Sequence, residues 1–481
     1  EDAAELRKEA VTSLEAAADA ADAAGANVEA LRHLRAAVEL ATPDRHLDLY
    51  ERMGDTLVHG DTSIEALTIA LRLAHSTGAP PDRVLRILAQ ILIFHTRWQG
   101  SVAGRPSEEE LGAMFQEGTD LLPEVTDEVT IARFRVAQSF LPFWINAGGR
   151  PPTQAELAAA DSAAQEGLAL AARHHETNLQ SAALDGIGGN AQQRGDYALM
   201  IETARRRLSL DERLDLSERI DAACMVVWAW ATTGDLRETG AACEAAFRQI
   251  QPGQSSNWAL HLGAWWTLTA ALQGNWDEAQ RVALRAHALW QQLDRVPAGY
   301  ATRGFLAAFE IARARRDETG MTRWRETLAE IDGAFHDSYR ADLHLAVING
   351  DPAGAALLLA SGNAVAVGYE TIDRAISLVS DRGVILPDET LASLADGMLP
   401  GAKYVIAQLN RALGVAHRDE GALRDSLALF EHAGARPAVA RVQVELGRLI
   451  GDPALVDAGM GGLLEIGDVD QHDRYTAAAR K

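Results

Sequence analysis

An all-α chain wound as an α-solenoid of paired helices is the fold this sequence predicts. Three observations carry it. Ala, Leu, Arg and Glu are abundant, and apolar residues recur at helical spacing; between Ala30 and Leu40, Leu31, Leu34 and Val38 share one stripe. Strand signals are scarce, since Val384-Ile385-Leu386 is short and Pro387 ends it at once. A Gly-Asp or Gly-Asn turn also recurs along the chain.

The turn appears as Gly60-Asp61, Gly195-Asp196, Gly234-Asp235, Gly274-Asn275, Gly350-Asp351 and Gly451-Asp452, with Gly25-Ala26-Asn27 as a looser copy. Glycine accepts the left-handed conformation that ends one helix. Asp or Asn then caps the next by accepting from its free N–H groups. Small residues recur at fixed places around the turn. Ala30 and Ala37 follow Gly25, and Ala279 and Ala286 follow Gly274. Upstream, Met53-Gly54 precedes Asp61, Ile187-Gly188 precedes Gly195, and Leu413-Gly414 precedes Gly421; Phe430, Ala433 and Pro437 close that last unit.

This pattern resembles the tetratricopeptide repeat: an apolar-Gly pair in a first helix, a Gly-Asp turn, then small and aromatic packing positions in a second. The match is good at 184–207 and 410–437, fair at 21–40, 47–75 and 263–290, and weak elsewhere. At about 40 residues per pair, the chain holds about eleven pairs. The expected organisation is N-terminal repeats over 1–97, an expanded repeat with long loops over 98–153, Trp-rich central repeats over 154–335, and C-terminal repeats over 336–481 with an irregular 361–402 segment. Gly100, Gly104, Pro106, Gly148, Gly149, Pro151 and Pro152 mark the loops of the second region.

A second resemblance concerns the whole chain. Glu29-Ala30-Leu31-Arg32-His33-Leu34-Arg35-Ala36-Ala37, Gly434-Ala435-Arg436-Pro437 and Glu445 to Asp452 are similar to stretches in the C-terminal repeat halves of bacterial STAND-type signalling ATPases. In those proteins a nucleotide-binding module precedes the array, often with an adenylyl cyclase or a LuxR-type DNA-binding domain. The resemblance implies a sensor or scaffold half whose nucleotide-binding and effector domains lie outside this sequence. The opening Glu1-Asp2-Ala3-Ala4-Glu5 has no Met, basic n-region or apolar h-region, which reads as a fragment of a cytoplasmic protein.

Composition narrows the function. The net charge is −23, so the chain is expected to repel nucleic acid and anionic membrane surfaces. Of the 45 basic residues only Lys8, Lys403 and Lys481 are lysine, an arginine bias read as that of a GC-rich genome. The longest apolar run, Ala222 to Ala231, is half the roughly 20 residues of a membrane-spanning helix. Cys224 and Cys243 read as buried thiols in a reducing compartment. Gly186-Ile187-Gly188-Gly189-Asn190 lacks the strand before it and the Lys-Ser or Lys-Thr after it that a phosphate loop needs, and reads as packing. His174-His175 on a helix would point about 100° apart, which suits no single metal ion. No cofactor, metal or catalytic residue is expected.

Tryptophan is the most unusual feature. Eight of ten lie between Trp228 and Trp324, including the adjacent Trp265-Trp266 and the near pair Trp228 and Trp230. They suit either inter-repeat packing or a ligand groove. In tetratricopeptide arrays the first helix of each pair lines the concave face. By that resemblance the groove-facing places are Asp185 and Gln192, then Asp221, Cys224 and Trp228, then His261 and Leu268, continuing to Arg303 and Glu310. The expected function is non-catalytic: a regulatory module that binds a protein segment or small effector in its groove. A stand-alone helical enzyme or lipid-handling α-barrel is the alternative, and a purely structural scaffold a third reading.

Overall fold

The structure is a computed structural model that describes all residues except 1, 57–59, 149, 211–212, 251–255, 294, 297, 335–340, 362–368, 398–400 and 481. Gly149 and parts of the 361–402 segment therefore lie outside the described residues. Among those described, every regular element is helical and no strand occurs. Among the described residues twelve helix pairs run from Asp2–Ala23 with Asn27–Leu40 to Arg436–Ile450 with Pro453–Ile466; the short helix Leu141–Ala147 lies between the two helices of the fourth pair, and the helix Val469–Ala479 follows the last. The chain is an α-solenoid of tetratricopeptide-like helix pairs, one pair longer than expected.

Local chemistry sets the hairpins. Gly25, Gly195, Gly234, Gly274, Gly350 and Gly451 all have φ between 62° and 85°, the left-handed region glycine enters freely. Asp196, Asp351 and Asp452 then accept from N–H groups of the following helix, whereas Asp235 and Asn275 make no such cap. Four further turns hide in the sequence because a larger residue takes the left-handed place: His175, Arg295, Arg316 and Arg418, with φ of 55–59°. Two expectations change accordingly. His174-His175 is not helical, because the helix ends at Arg173. The turn assigned to Gly421 belongs to Arg418-Asp419, and Gly421 lies inside the helix Glu420–Ala433. Gly60 is the first residue of the helix Gly60–Thr77, and the residues just before it lie outside the described ones.

The small residues pack as their positions suggest. A Cβ on Gly54 would meet Leu67, one on Gly188 would meet Thr203, and one on Gly414 would meet Leu423, each in the partner helix of its own pair. Gly186, Gly188 and Gly189 sit inside the helix Thr177–Gln193, which explains the glycine run without a phosphate. Tryptophans fill the seams: Trp324 stacks on Phe305 at 5.6 Å and 17°, and Trp266 meets Phe247 at 5.6 Å.

The superhelix winds tightly enough for its turns to touch. The helix Leu216–Thr233 meets Lys403–His417, Ser256–Gln273 meets Arg436–Ile450, and Thr302–Ala314 meets Val469–Ala479, each partner five pairs further along. The hairpin glycines are the contact points. Around Gly274, a Cβ would lie 3.1 Å from Ile466, 3.2 Å from Pro437 and 3.3 Å from Arg436. Arg436 also donates to the carbonyls of Gln273 and Gly274 at 2.9 Å. The concave face is therefore roofed by the next turn and is not the open trough expected from the repeat pattern.

Gly451 has the same left-handed conformation with no atom near its missing Cβ. Gly451→Ala should cost about 1 kcal/mol of backbone strain. Gly274→Ala carries that strain and must also push the stacked turns apart, adding roughly 1–3 kcal/mol. Chemical denaturation of both variants measures the difference. Equal losses would mean that the turns do not touch at Gly274.

Candidate functional site: an aromatic cavity between stacked turns

Three first helices present one face each to a common space. In Leu216–Thr233, Asp221, Met225 and Trp228 recur at helical spacing and line it. In Ser256–Gln273, Trp258, His261 and Trp265 do the same. Arg303 enters at the start of Thr302–Ala314. The opposite wall comes from the preceding turn, where the helix Pro81–Thr96 runs out into Arg97, Trp98 and the short 3-10 turn Gln99–Ser101. Together they enclose a cavity of ≈190 Å³.

Its walls are aromatic. Trp98 meets Trp258 at 6.1 Å between ring centroids, Trp258 meets His261 at 6.0 Å, and His261 meets Tyr300 at 5.0 Å. On the other side Phe143 meets Trp228, and Trp228 meets Trp265, each at 6.4 Å. Several of these contacts are edge-on or tilted, as ring quadrupoles prefer. The Arg303 guanidinium lies 4.0 Å from the Trp265 ring centre, a cation–π distance.

The floor is an ion cluster. Arg97 donates to Asp185 at 2.9 Å, to Glu218 at 2.5 Å and to Asp221 at 3.0 Å, with its side chain only 4% exposed. Arg207, fully enclosed, faces Asp185 at 2.7 Å and also donates to Asp221 and to Ser181. Burial opposes the charge on Arg97, but Glu218, Asp185 and Asp221 hold its proton well above the usual arginine range. Burial also pushes the Asp185 carboxyl up, against the pull of Arg207. His261 is held neutral: burial, reinforced by Arg303, pushes it down to about 3. Its Nε2 accepts from the Trp265 indole N–H at 3.2 Å, which leaves the ring proton on Nδ1.

Of the expected groove residues, Asp185, Asp221, Trp228, His261 and Arg303 come together here. Four others do not. Gln192 lies two helical turns beyond Asp185, 7% exposed, beside Gln193. Cys224 turns into the core towards the second helix of its pair, where Cys243 also lies; both thiols are free and buried, and burial raises both pKa values. Leu268 is buried against a separate void of ≈30 Å³. Glu310 lines a different, charged cavity and pairs with Arg374. Arg97, Trp98, Phe140 and Phe143 were missed, because a register argument within one turn says nothing about the turn stacked on it; Trp258, three residues before His261 on the same helix, was missed although it belongs to the tryptophan cluster. Trp98 carried the one usable signal, as a tryptophan set apart from the central cluster. Among the described residues no group of His, Cys, Asp or Glu has the arrangement to hold a metal ion. His174, read as non-ligating, pairs with Glu128 at 2.7 Å. No described helix is long and apolar enough to cross a membrane.

Compared with protein-family models and with curated proteins, the chain matches none. Among solved structures, yeast Tom70 is similar over 98% of this chain and 96% of its own, at 12% identity and a TM-score of 0.26. A circular tandem repeat protein with novel repeat topology is similar over 100% and 98%, at 16% identity and a TM-score of 0.16. Neither likeness bears on function, and the repeat fold rests on the helix pairs of the chain itself.

Arg97→Gln would leave three enclosed carboxylates with Arg207 alone and should cost about 3–5 kcal/mol, read by chemical denaturation. A loss under about 1 kcal/mol, the worth of an exposed pair, would mean that the cluster is solvated. The sign for His261 runs the other way from that for Asp185. Unfolded, His261 takes up a proton near 6.5; folded, only near 3. It therefore contributes stability above about 6.5 that is lost as pH falls towards 3, with a slope approaching about 1.4 kcal/mol per pH unit. His261→Gln should be less acid-sensitive than the wild type across that window, and matching pH profiles would refute the neutral assignment.

Proposed function

We propose that this chain is a non-catalytic recognition module whose ligand seats a flat ring in the aromatic cavity between the first and second superhelical turns. The observation that carries this is the wall structure: rings from residues far apart in sequence converge on one space, over a floor of already paired charges. At ≈190 Å³ the cavity is below the roughly 300–1,000 Å³ of sites for drug-sized molecules. It suits one ring-bearing group, either an aromatic side chain on a protein segment or a small planar effector. The polar groups around it fix orientation, with the Asp185 and Asp221 carboxylates, the neutral imidazole of His261 and the Arg303 cation on different sides.

Catalysis is disfavoured by how those groups are engaged. Asp185 and Asp221 are committed to Arg97 and Arg207, His261 Nε2 is taken by Trp265, and neither buried cysteine reaches the cavity. Because two turns form the walls, a ligand that prefers one spacing of the turns shifts the winding of the array by its differential affinity. Such a response suits the sensor half of a signalling protein. The similarity of 29–37, 434–437 and 445–452 to the repeat halves of STAND-type ATPases supports that setting, with the nucleotide-binding and effector domains as the partners that read the change.

Indole is the simplest ring probe. Calorimetric titration should show uptake by the wild type and a roughly tenfold or greater loss in Trp228→Ala, since desolvated aromatic anchors carry about 2 kcal/mol or more of binding energy. Trp276 is the contrast: it is 6% exposed, packs between helices and donates to the Ala271 carbonyl at 3.1 Å. Trp276→Ala should lower stability by about 3–5 kcal/mol. A wild type that takes up no indole, or a Trp228→Ala variant that binds normally, would sink the assignment.

A further inference from the structure

The floor of the aromatic cavity is not electrically closed. Three carboxylates, Asp185, Glu218 and Asp221, meet two arginines, Arg97 and Arg207, so the cluster carries one negative charge in excess. The bonding of each carboxylate shows where that excess lies. Glu218 is engaged at both oxygens, Oε1 by Arg97 and Oε2 by Arg97, Arg207 and Ser181, and it does not line the cavity. Asp221 does line it, and is bonded on one side only. Its Oδ2 accepts from Arg97 at 3.0 Å and from Arg207, while its Oδ1 accepts no hydrogen bond among the described residues. Unpartnered oxygens elsewhere, such as Asp161 Oδ1 and Asn190 Oδ1, are sealed from solvent; Asp221 Oδ1 is not.

What the floor presents to the cavity is therefore carboxylate. The side chains of Arg97 and Arg207 are 4% and 1% exposed, against 13% for Asp185 and 7% for Asp221. A nearly buried carboxylate oxygen without a donor is costly, and a cationic donor answers it with the stronger, charge-assisted kind of bond. The walls suit the same charge. Ring faces attract cations, and Arg303 already stands on one of them, at Trp265. Water serves the oxygen but leaves the apolar rings wet. A ring that carries an ammonium serves both.

We propose that the ring ligand of this cavity is an aromatic amine, with its ring between the tryptophan walls and its ammonium on Asp221 Oδ1, beside Asp185. The proposal rests on the ring reading above and adds the charge of the ligand to it. One ammonium and two arginines against three carboxylates bring the floor to balance. An acid of the same shape would set a fourth negative charge against the oxygen that lacks a donor.

Three probes share one ring and differ in charge: indole, tryptamine and 3-(indol-3-yl)propionate, each titrated calorimetrically into the full chain at neutral pH. Tryptamine should bind roughly 10- to 100-fold more tightly than indole, and the propionate more weakly than indole. Asp221→Asn leaves two carboxylates for the two arginines, keeps an oxygen for them, and turns an N–H group towards the cavity. It should bring the ratio of tryptamine to indole affinity towards one. Should that variant fail to fold, Asp185→Asn should lower the same ratio. Indole uptake with tryptamine no tighter, as expected if water alone serves Asp221, would overturn the amine and leave the ring reading standing. So would propionate binding as tightly as tryptamine, or an undiminished ratio in the variants. No uptake of any probe would sink the ring reading and the amine with it.

Discussion

One arginine joins the first turn of this superhelix to the second, and the candidate site exists because of it. Arg97 sits one residue beyond its helix, so the local pattern gives it no packing role, yet it reaches carboxylates more than 80 positions later. Two arginines against three carboxylates is a stable arrangement only with close geometry and satisfied hydrogen bonds, because each buried charge costs several kcal/mol to desolvate. The bidentate contact to Glu218, backed by Arg207 and Ser181, meets that condition. The spacing it sets leaves a gap too wide for side chains to close and narrow enough to be walled by rings.

The same device recurs further along with different partners. Arg436 bonds the carbonyl ends of a hairpin one turn away, and Arg316 reaches Asp473 at 2.9 Å. A guanidinium holds its donors in a rigid planar fork that matches two carbonyls or a carboxylate, whereas an ammonium is a compact charge on a flexible stem. The shortage of lysine thus has a structural side in addition to its reading as genome composition: arginine is the residue that ties turn to turn.

How much of this was legible follows from what repeats locally. The hairpins at Gly195, Gly234, Gly274, Gly350 and Gly451 were readable because a left-handed residue is usually glycine and the residue after it a cap. Those at His175, Arg316 and Arg418 were not, because neither residue type announces a positive φ. Register within a helix placed Asp221, Trp228 and His261 at the inner face. It misplaced Cys224 and Leu268, where steps of three and four residues separate the cavity from the core. Turn stacking was invisible because it is the sum of small rotations over five pairs, and no single pair records that sum. Hence most of the second-turn half of the cavity could be read, Trp258 excepted, and the first-turn half could not.

The two cavities lie in series along the inside of the superhelix, which gives the arrangement its mechanical interest. A void of ≈30 Å³ separates them. Trp228 and Trp265 wall it from the aromatic side, and Asp373 and Tyr404 from the charged side. Spatial intermediacy alone transmits nothing; coupling requires an element with two arrangements that both sites bias. The void supplies the room for one. A buried ring beside empty space has lost dispersion contacts on that side and gains them by shifting into it, whereas the close-packed seams around Trp324 offer no such alternative.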